Sequence, residues 1–252
     1  MPSENENHFT IIIPAYNCKQ WVGKNLSSIF KQVYTNYDVI YIDDASTDGT
    51  GELASTLLSS YFDGENRYKV IKNSSNQKAI YNLYNSIHSI EKEDTIVVAL
   101  DGDDWFSHSR VLQRLNELYD ESVWITAGSY IDNGNATINR PLIMDGFWSA
   151  NIRKFVWTLS HLRTFRRKLF MRINKEDLLD EDGSFFKFTW DRVLMYPMVE
   201  MAGPKHFLPI SEVMYTYNSR NPLNVHKVHR PEQLRIEKVI TNKDPYSRLE
   251  KL

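Results

Sequence analysis

The sequence predicts an α/β fold in which helices flank a mainly parallel sheet. Along the first half, short apolar and β-branched runs alternate with segments whose apolar residues recur at helical spacing. Strands that are separated by helices pair in parallel, and the helices then cover both faces of the sheet. Several predicted strands end in polar or acidic clusters, and ligands of open α/β sheets bind just beyond the carboxyl ends of the strands. The pattern therefore places a ligand site along one edge of the sheet.

The predicted elements follow in a regular order. The first strand begins at Phe9 and is ended by Pro14, which lacks the N–H that a sheet needs. A late helix is expected after Asp191, with Pro197 kinking it or shortening its first part, and another helix after Pro231. The predicted strands are residues 9–13, 39–42, 68–71 and 95–100. Each is followed by a predicted helix, and the apolar residues that mark the four helices are, in order, Val22, Leu26 and Ile29; Leu53, Leu57 and Leu58; Ile80, Leu83 and Ile87; and Val111, Leu112 and Leu115.

Composition limits the classes of function. The 252 residues suffice for one large α/β domain, or for one domain with an appended subdomain. Lys and Arg total 30 against 32 Asp and Glu, so no overall charge attracts nucleic acid or an anionic membrane. The single cysteine, Cys18, excludes an internal disulfide and fits a reducing compartment. No signal-peptide pattern and no apolar run of membrane-spanning length is present. We therefore expect a soluble, cytoplasmic protein that does not bind nucleic acid.

The strongest candidate for a functional site is the acidic cluster Asp101-Gly102-Asp103-Asp104, which directly follows the predicted strand 95–100. Carboxylates held together at a strand end repel one another unless a cation or hydrogen-bond donors neutralise them. Oxygen ligands of this kind suit Mg²⁺ or Mn²⁺, which often connect protein carboxylates to substrate phosphates. The alternative is a solvated acidic turn before the helix that begins near Ser107.

Two further strand ends carry polar groups. Residues 14–17 include an aromatic side chain, Tyr16, that can stack on a base. Residues 43–50 include Asp44, whose carboxylate can accept a hydrogen bond from a base N–H. Taken alone, Tyr16 can be ordinary packing and residues 46–49 a turn before a capped helix. Taken together with the acidic cluster on one edge, these residues predict a site for a nucleoside diphosphate.

Three motifs resemble those of glycosyltransferase family 2. Residues 11–17 (IIIPAYN) are similar to the family's opening strand and nucleotide loop, residues 42–50 (IDDASTDGT) to its second motif, and residues 100–104 (LDGDD) to its D-x-D metal motif. The second half is similar more loosely, to bacterial chondroitin-type polymerase domains around residues 161–165 and 190–218. The resemblance implies the A-type glycosyltransferase fold, with a Rossmann-like sheet, formed by residues 1–252 as one domain. Residues 1–127 would bind the nucleotide sugar, and residues 128–252 would bind the acceptor and carry a helical tail.

By this resemblance, the first strand ends bind the nucleotide. Tyr16 would stack on uracil, Asp44 would contact the base, and Lys78 would lie near it. Asp101 and Asp103 would serve the ribose and a Mn²⁺ or Mg²⁺ ion, with Asp103 as the direct ligand. The implied nucleotide-binding residues are Pro14, Ala15, Tyr16, Asn17, Asp44, Lys78, Asp101 and Gly102.

In the family, a histidine after a late strand often reaches the metal. The similar strand here is Tyr215 to Arg220, but Arg220 itself stands near the matching position. The next histidines are His226 and His229, and we take His226 as the candidate ligand. This departure leaves the third protein ligand of the metal open.

The catalytic base is expected in the second half. Asp191 precedes an apolar helical run, where a helix dipole favours an ionised carboxylate, so from the residues alone a helix N-cap is the better interpretation. The resemblance favours the base, because family-2 enzymes carry their catalytic Asp before a similar helix. The rival acids are Asp180, Glu181 and Asp182, whose context is that of a solvated loop.

A basic run between residues 163 and 172 has two interpretations. It can be the solvated face of a helix whose buried face is Leu162, Phe165, Leu169 and Phe170, which we favour for most of its residues. It can also contact an anionic acceptor, the diphosphate or a membrane surface, and we reserve a phosphate role for Arg163. His161 is expected to line the same pocket.

Together these residues predict a metal-dependent inverting hexosyltransferase. It would move a sugar from a nucleoside-diphosphate sugar, preferably a UDP-sugar, to a hydroxyl of a glycan, protein or lipid. One alternative is a nucleotidyltransferase, although such enzymes usually place a glycine-rich loop where this chain has residues 14–17. The other is a binding module, which would need no base.

Overall fold

The computed structural model describes residues 6–252, apart from the side chain of His226. Within this part of the chain, nine strands form one sheet, and their order from one edge is β3-β2-β1-β4-β8-β6-β9-β5, with β7 paired to β6. The strands are β1 His8–Ala15, β2 Tyr37–Asp43, β3 Tyr68–Lys72, β4 Thr95–Ala99, β5 Trp105–Phe106, β6 Ile125–Asp132, β7 Ile138–Asn139, β8 Arg163–Arg166 and β9 Phe207–Tyr217. The α-helices are α1 Lys19–Phe30, α2 Thr50–Phe62, α3 Lys78–His88, α4 Val111–Leu118, α5 Arg167–Phe170, α6 Trp190–His206, α7 Val225–Val228 and α8 Arg230–Asn242, with 3₁₀ turns at Ile152–Lys154 and Lys175–Leu178.

The first half confirms the predicted parallel arrangement. Strands β3, β2, β1 and β4 are neighbours and pair in parallel. Their side chains alternate between two hydrophobic cores, with Ile12 and Val97 in one and Ile11 and Val98 in the other. Since both faces of the sheet are buried at its centre, β1 and β4 are largely apolar rather than alternating, whereas the edge strand β3 carries the exposed Lys69 and Lys72. The carboxyl ends of β1, β2 and β4 consequently meet at one edge.

The second half enters the same sheet in mixed orientation. Strand β8 lies between β4 and β6 and is antiparallel to both, whereas β9 is parallel to β6. The helix expected over the basic run is therefore wrong for residues 163–166, which form β8, and only Arg167–Phe170 is helical. Pairing with two strands outweighs local helical spacing here. The expected buried residues Leu162, Phe165, Leu169 and Phe170 are indeed buried.

Helix α6 also differs from expectation. It continues through Pro197, and its non-helical residue is Gly203, with φ 58° and ψ −173°. Residues 193–203 are all buried, so packing on every side holds the helix despite the hydrogen bond that Pro197 cannot donate. The predicted tail helix is present as α8, with Ile236 and Ile240 buried. Among the helices of residues 6–252, none has the length and apolar character needed to cross a membrane.

Candidate active site

The acidic loop 101–104 is held against the end of β1. The Gly102 N–H donates to the Pro14 carbonyl at 3.1 Å. A Cβ at position 102 would lie 2.6 Å from the Ala15 Cβ, so the close approach requires glycine. From α1, the buried Asn25 amide donates to the carbonyls of Asp101, at 3.1 Å, and Asp104, at 2.7 Å. Pro14, Ala15 and Gly102 thus fix the backbone that presents the acids.

The three carboxylates of this loop have different surroundings. Asp104 is buried and accepts hydrogen bonds from the Tyr215 hydroxyl at 2.5 Å and the Asn218 N–H at 2.7 Å. Asp103 accepts one from the Asn221 side chain at 2.6 Å. Burial raises the pKa of Asp103 and raises that of Asp104 well above its ordinary value. For Asp101, burial raises the pKa to about 7, although the nearby Arg163 opposes the rise. The loop is therefore a place where negative charge is costly without a cation.

One histidine from the second half joins two of these acids. Ligand atoms of Asp101, Asp104 and His161 lie within 4.8 Å of one another. The His161 ring stacks on Tyr215 at 4.4 Å between centroids, and its buried Nδ1 has no hydrogen-bond partner among the described residues. Burial first, and then the Arg163 charge, hold the pKa of His161 well below its usual value, so the ring is neutral. Carboxylate oxygens and an unpartnered neutral imidazole fit a divalent cation such as Mn²⁺.

The expected metal ligands compare with this group as follows. Asp103 is in the same loop, but its carboxylate is not part of the three-residue group. Helix α7 contains His226, whose side chain lies outside the described part of the structure. His161, expected only to line the pocket, is brought to the acids because β8 pairs with β4.

Arg163 stands between the two halves of the site. Its guanidinium is 3% exposed and stacks over Trp190 at 4.3 Å. Nη1 lies 3.9 Å from the Asp101 Oδ2, and Nη2 lies 3.9 Å from the Asp191 Oδ2. Nε and Nη1 are buried without a hydrogen-bond partner in the described chain. A buried guanidinium with unused donors, facing two carboxylates, is suited to an anionic ligand.

Asp191 is not the cap of α6. The N-cap is Thr189, and Asp191 lies in the first turn. Instead of capping the helix, its Oδ2 accepts a hydrogen bond from the Trp157 Nε1 at 2.9 Å. Its side chain retains 22% exposure and faces Arg163. The rival acids are engaged elsewhere, Asp180 with Arg235 and Asp182 with Ser184. Among the acids of the second half considered as the base, Asp191 is therefore the one that faces Arg163 and remains partly exposed.

The expected base-binding residues line the other side of the same edge. Tyr16 is 45% exposed, and the Lys78 ammonium lies 6.0 Å from its ring centroid. The Asp44 carboxylate accepts from the backbone N–H groups of Gln77, at 2.8 Å, and Lys78, at 2.9 Å. Asn17, at φ 47°, accepts from the Thr47 N–H at 2.9 Å through its side chain. Asp44 and Asn17 thereby fix the loops beside the exposed Tyr16 ring.

Comparison with known proteins decides the family. The model of Glycosyl transferase family 2 matches residues 10–187. The chain belongs to glycosyltransferase family 2. It is 26% identical over 192 residues to the uncharacterized glycosyltransferase EpsJ of Bacillus subtilis, covering 70% of this chain and 52% of EpsJ. It is 27% identical over 141 residues to WfaP of Escherichia coli, named a UDP-Glc:α-D-GlcNAc-diphosphoundecaprenol β-1,3-glucosyltransferase, covering 56% of this chain and 51% of WfaP. It thus spans about half the length of these relatives.

Solved structures show the fold of this family-2 glycosyltransferase. S. aureus TarS aligns with a TM-score of 0.63 and 18% identity, over 95% of this chain and 40% of TarS. The mannosyltransferase PcManGT of Pyrobaculum calidifontis, in complex with GDP-Man and Mn²⁺, aligns with a TM-score of 0.62 and 17% identity, over 96% of this chain and 67% of PcManGT. The predicted A-type glycosyltransferase fold is therefore confirmed.

Sequence reasoning missed several residues of the site in this glycosyltransferase. Asn25, Asn218 and Asn221 hold the acidic loop, and the signal for the last two was a polar stretch directly after a strand. Trp157 lies in a segment without regular helix or strand, and no local pattern connects it to Asp191. Three other residues of the basic run have structural partners, although Arg166 lies in β8 and not on the helix expected for it. Arg166 and Arg167 donate to the carbonyls of Val123 and Ile87, and Lys168 pairs with Asp94.

Proposed function

We propose that this chain is a metal-dependent inverting hexosyltransferase that uses a UDP-sugar and transfers the sugar to a hydroxyl acceptor. One observation carries the proposal. An acid of the metal motif, Asp101, and an acid suited to act as base, Asp191, face the same buried guanidinium of Arg163 from opposite halves of the domain. A donor diphosphate and an acceptor hydroxyl can thus meet in one place.

We assign the cation to the acidic loop. Asp101, Asp104 and His161 have the ligand atoms that lie together, and Asp103 remains a candidate ligand through the carboxylate oxygen that does not bond Asn221. His226 also remains a candidate. When bound, Mn²⁺ or Mg²⁺ neutralises charge on the departing diphosphate. The neighbour PcManGT was solved with Mn²⁺, which supports the choice of ion.

Asp191 would act as the general base. In the reaction, its carboxylate accepts the proton of the acceptor hydroxyl while that oxygen bonds to the anomeric carbon. The bond from the anomeric carbon to the diphosphate oxygen breaks, and the nucleoside diphosphate leaves with the electron pair. A single displacement of this kind inverts the configuration. Arg163, with donors unused by the described residues, would hydrogen-bond the negative charge that develops on the leaving group.

The donor base is proposed from Tyr16 and Asp44. The exposed Tyr16 ring offers a stacking surface. Asp44 Oδ1 already accepts from Gln77 and Asn73, but Oδ2 accepts only from the Lys78 N–H, so its second lone pair can accept from the uracil N3–H. Among the neighbours, TarS was solved with UDP-GlcNAc and WfaP is named for UDP-Glc, although PcManGT was solved with GDP-Man. The buried, unpaired Cys18 fits the reducing cytoplasm, where we place the reaction.

Calorimetry of UDP binding tests the metal part of the proposal. We expect UDP to bind in Mn²⁺ and to lose affinity in EDTA or in Asp103→Ala. Asp94→Ala is the matched control, because Asp94 is exposed beside the opposite end of β4 and should leave binding unchanged. Equal UDP affinity in Mn²⁺ and in EDTA would contradict metal dependence.

A screen of nucleotide sugars for UDP or GDP release, with Asp191→Asn beside the wild type, tests the transferase itself. A binding module would release no nucleotide and would be indifferent to the substitution. A nucleotidyltransferase would instead turn over a nucleoside triphosphate and a sugar phosphate.

A further inference from the structure

The candidate base is held by a tryptophan from another part of the chain. The indole Nε1 of Trp157 donates to the Asp191 Oδ2 at 2.9 Å, across 34 residues of sequence. We propose that Trp157 is the positioning residue that orients Asp191 for acceptor activation. This inference rests on the proposed role of Asp191 as base, and it assigns a role to the otherwise irregular segment that carries Trp157.

The hydrogen bond gives the two carboxylate oxygens different tasks. Oδ2 receives the Trp157 N–H and also faces the Arg163 Nη2 at 3.9 Å. Within residues 6–252, no described protein group donates a hydrogen bond to Oδ1. Rotation of the carboxylate would break the Trp157 bond, so the geometry keeps Oδ1 available. The acceptor O–H proton would therefore pass to Oδ1, and the carboxylic acid so formed would keep its bond to Trp157 through Oδ2.

The indole is positioned against the same helix as the acid. Its ring packs edge-on against Tyr196 with centroids 5.0 Å apart, and the Arg192 guanidinium lies 5.8 Å from the ring centroid. Both residues belong to α6, on which Asp191 also lies. The indole therefore packs on the helix that carries the acid, and these contacts limit how far its nitrogen can move relative to the carboxylate.

The segment that carries Trp157 is anchored on both sides. Before it, the buried Arg153 forms two hydrogen bonds of 2.7 Å with Glu200 of α6. After it, the Thr158 hydroxyl accepts from the Leu142 N–H at 3.1 Å and donates to the Leu142 carbonyl at 3.0 Å. A buried ion pair with this geometry fixes the segment on α6. Such anchoring is what a positioning role requires, because a few tenths of an ångström decide proton transfer geometry.

The competing interpretation is that Trp157 only packs and that its N–H bond is incidental. A packing role predicts that loss of the ring destabilises the protein and that loss of the N–H alone changes little. A positioning role predicts the opposite. Trp157→Phe retains an aromatic ring against Tyr196 and removes the donor. Trp157→His restores a donor, because the imidazole Nε2 has the same place in its five-membered ring as the indole Nε1.

The test is a double-mutant cycle with Trp157→Phe, Asp191→Asn and the double variant, measured by UDP release from UDP-glucose and from UDP-N-acetylglucosamine in Mn²⁺. We expect Trp157→Phe to lower kcat about tenfold or more, the scale of a hydrogen bond to a charged group, with donor KM unchanged. Trp157→His should recover part of the loss. In the Asp191→Asn background, Trp157→Phe should have no further effect, because a residue that acts through Asp191 cannot act without it.

The matched control is Trp148→Phe, in the turn that precedes the 3₁₀ turn Ile152–Lys154. Its indole packs near Phe207 and has no hydrogen bond to Asp191, so kcat should stay at the wild-type value. Wild-type kcat in Trp157→Phe, or an equal loss from this substitution in the Asp191→Asn background, would overturn the positioning role while leaving Asp191 as the base. Wild-type kcat in Asp191→Asn would instead overturn the proposed function, and the positioning role with it.

Discussion

Replacing Asp191 with asparagine separates catalysis from stability. The variant keeps the size and shape of the side chain, and the amide oxygen can still accept the Trp157 hydrogen bond. It removes one negative charge from the first turn of α6 and from the neighbourhood of Arg163. The question is whether the free energy of unfolding or the activation free energy of sugar transfer changes more.

The expected changes in the unfolding free energy and in the activation barrier differ in size. Loss of a charge at a helix N-terminus changes the free energy of unfolding by about 1 kcal/mol or less. For a domain of this size, that shifts Tm by roughly 2–4 °C. Loss of a general base lowers turnover by about a hundredfold or more, which corresponds to about 2.7 kcal/mol on the barrier. A base at position 191 therefore predicts a catalytic effect at least twice the stability effect.

Paired measurements decide the matter. Scanning calorimetry gives Tm, titration calorimetry gives the affinity for UDP with Mn²⁺, and initial rates of UDP release give kcat. We expect Tm and UDP affinity close to wild type with kcat reduced at least a hundredfold. Asp182→Asn is the control, since Asp182 is exposed and accepts from Ser184 in its own turn. A destabilised but fully active Asp191→Asn, or an equal loss of kcat in Asp182→Asn, would refute the reasoning.

Three further predictions follow from the acidic loop and the nucleotide side. Gly102→Ala should destabilise the protein by about 1–3 kcal/mol and weaken UDP binding, because the added Cβ would overlap Ala15. Calorimetry measures both effects, and an unchanged Tm would contradict the close approach. The affinity for Mn²⁺ should fall as pH drops below about 7, where Asp101 gains a proton, and should level off above pH 7. An affinity that does not change with pH between about 5.5 and 8.5 would contradict this prediction. In competition against a labelled nucleotide in Mn²⁺, UDP should bind more tightly than GDP and CDP, with dTDP closest to UDP because its base also has the N3–H. Displacement of the label by GDP at a lower concentration than by UDP would reverse the donor assignment.

The pH prediction has a counterpart in stability. Burial raises the pKa of Asp101 to about 7 in the metal-free protein, so the folded state binds this proton more tightly than the unfolded chain does. Where the folded state holds more protons, the free energy of unfolding falls with rising pH. The contribution of Asp101 is therefore fully present below the ordinary pKa of 3.8 and is lost as pH rises from there through about 7. Bound metal removes this loss, since it stabilises the ionised carboxylate.

The first half of the fold could be predicted because its signals are local. Apolar runs such as Ile11–Ile13 and amphipathic segments such as residues 80–87 define their own structure, and the parallel order follows from their alternation. The ends of β1, β2 and β4 then fall on one edge by topology alone, although the predicted end of the first strand at Pro14 is wrong, because β1 continues through Pro14 to Ala15. Asp191 is predicted as the base from the family resemblance, since the local pattern of an acid before an apolar helical run by itself favours an N-cap.

The rest depends on pairings between distant residues. Nothing in residues 163–166 specifies that Arg163 will align with Ala99 of β4 and Ala127 of β6, yet this register brings His161 and Arg163 to the acids. The Trp157 bond to Asp191 likewise joins an irregular segment to a helix. Such contacts arise from the tertiary arrangement, and a single sequence carries no periodic signal for them.

Arg163 shows why the sequence and the structure assign different weight to one residue. In the sequence it is one basic residue among several, and its neighbours Arg166 and Arg167 bind backbone carbonyls, as a structural role requires. In the structure, Arg163 alone of these three is 3% exposed with donors unused in the described chain. A buried guanidinium with incomplete hydrogen bonds is costly, and two carboxylates at 3.9 Å compensate only part of that cost. An anionic ligand would satisfy the remaining donors, so the unfavourable burial of Arg163 is best explained by the diphosphate that the proposed reaction brings to it.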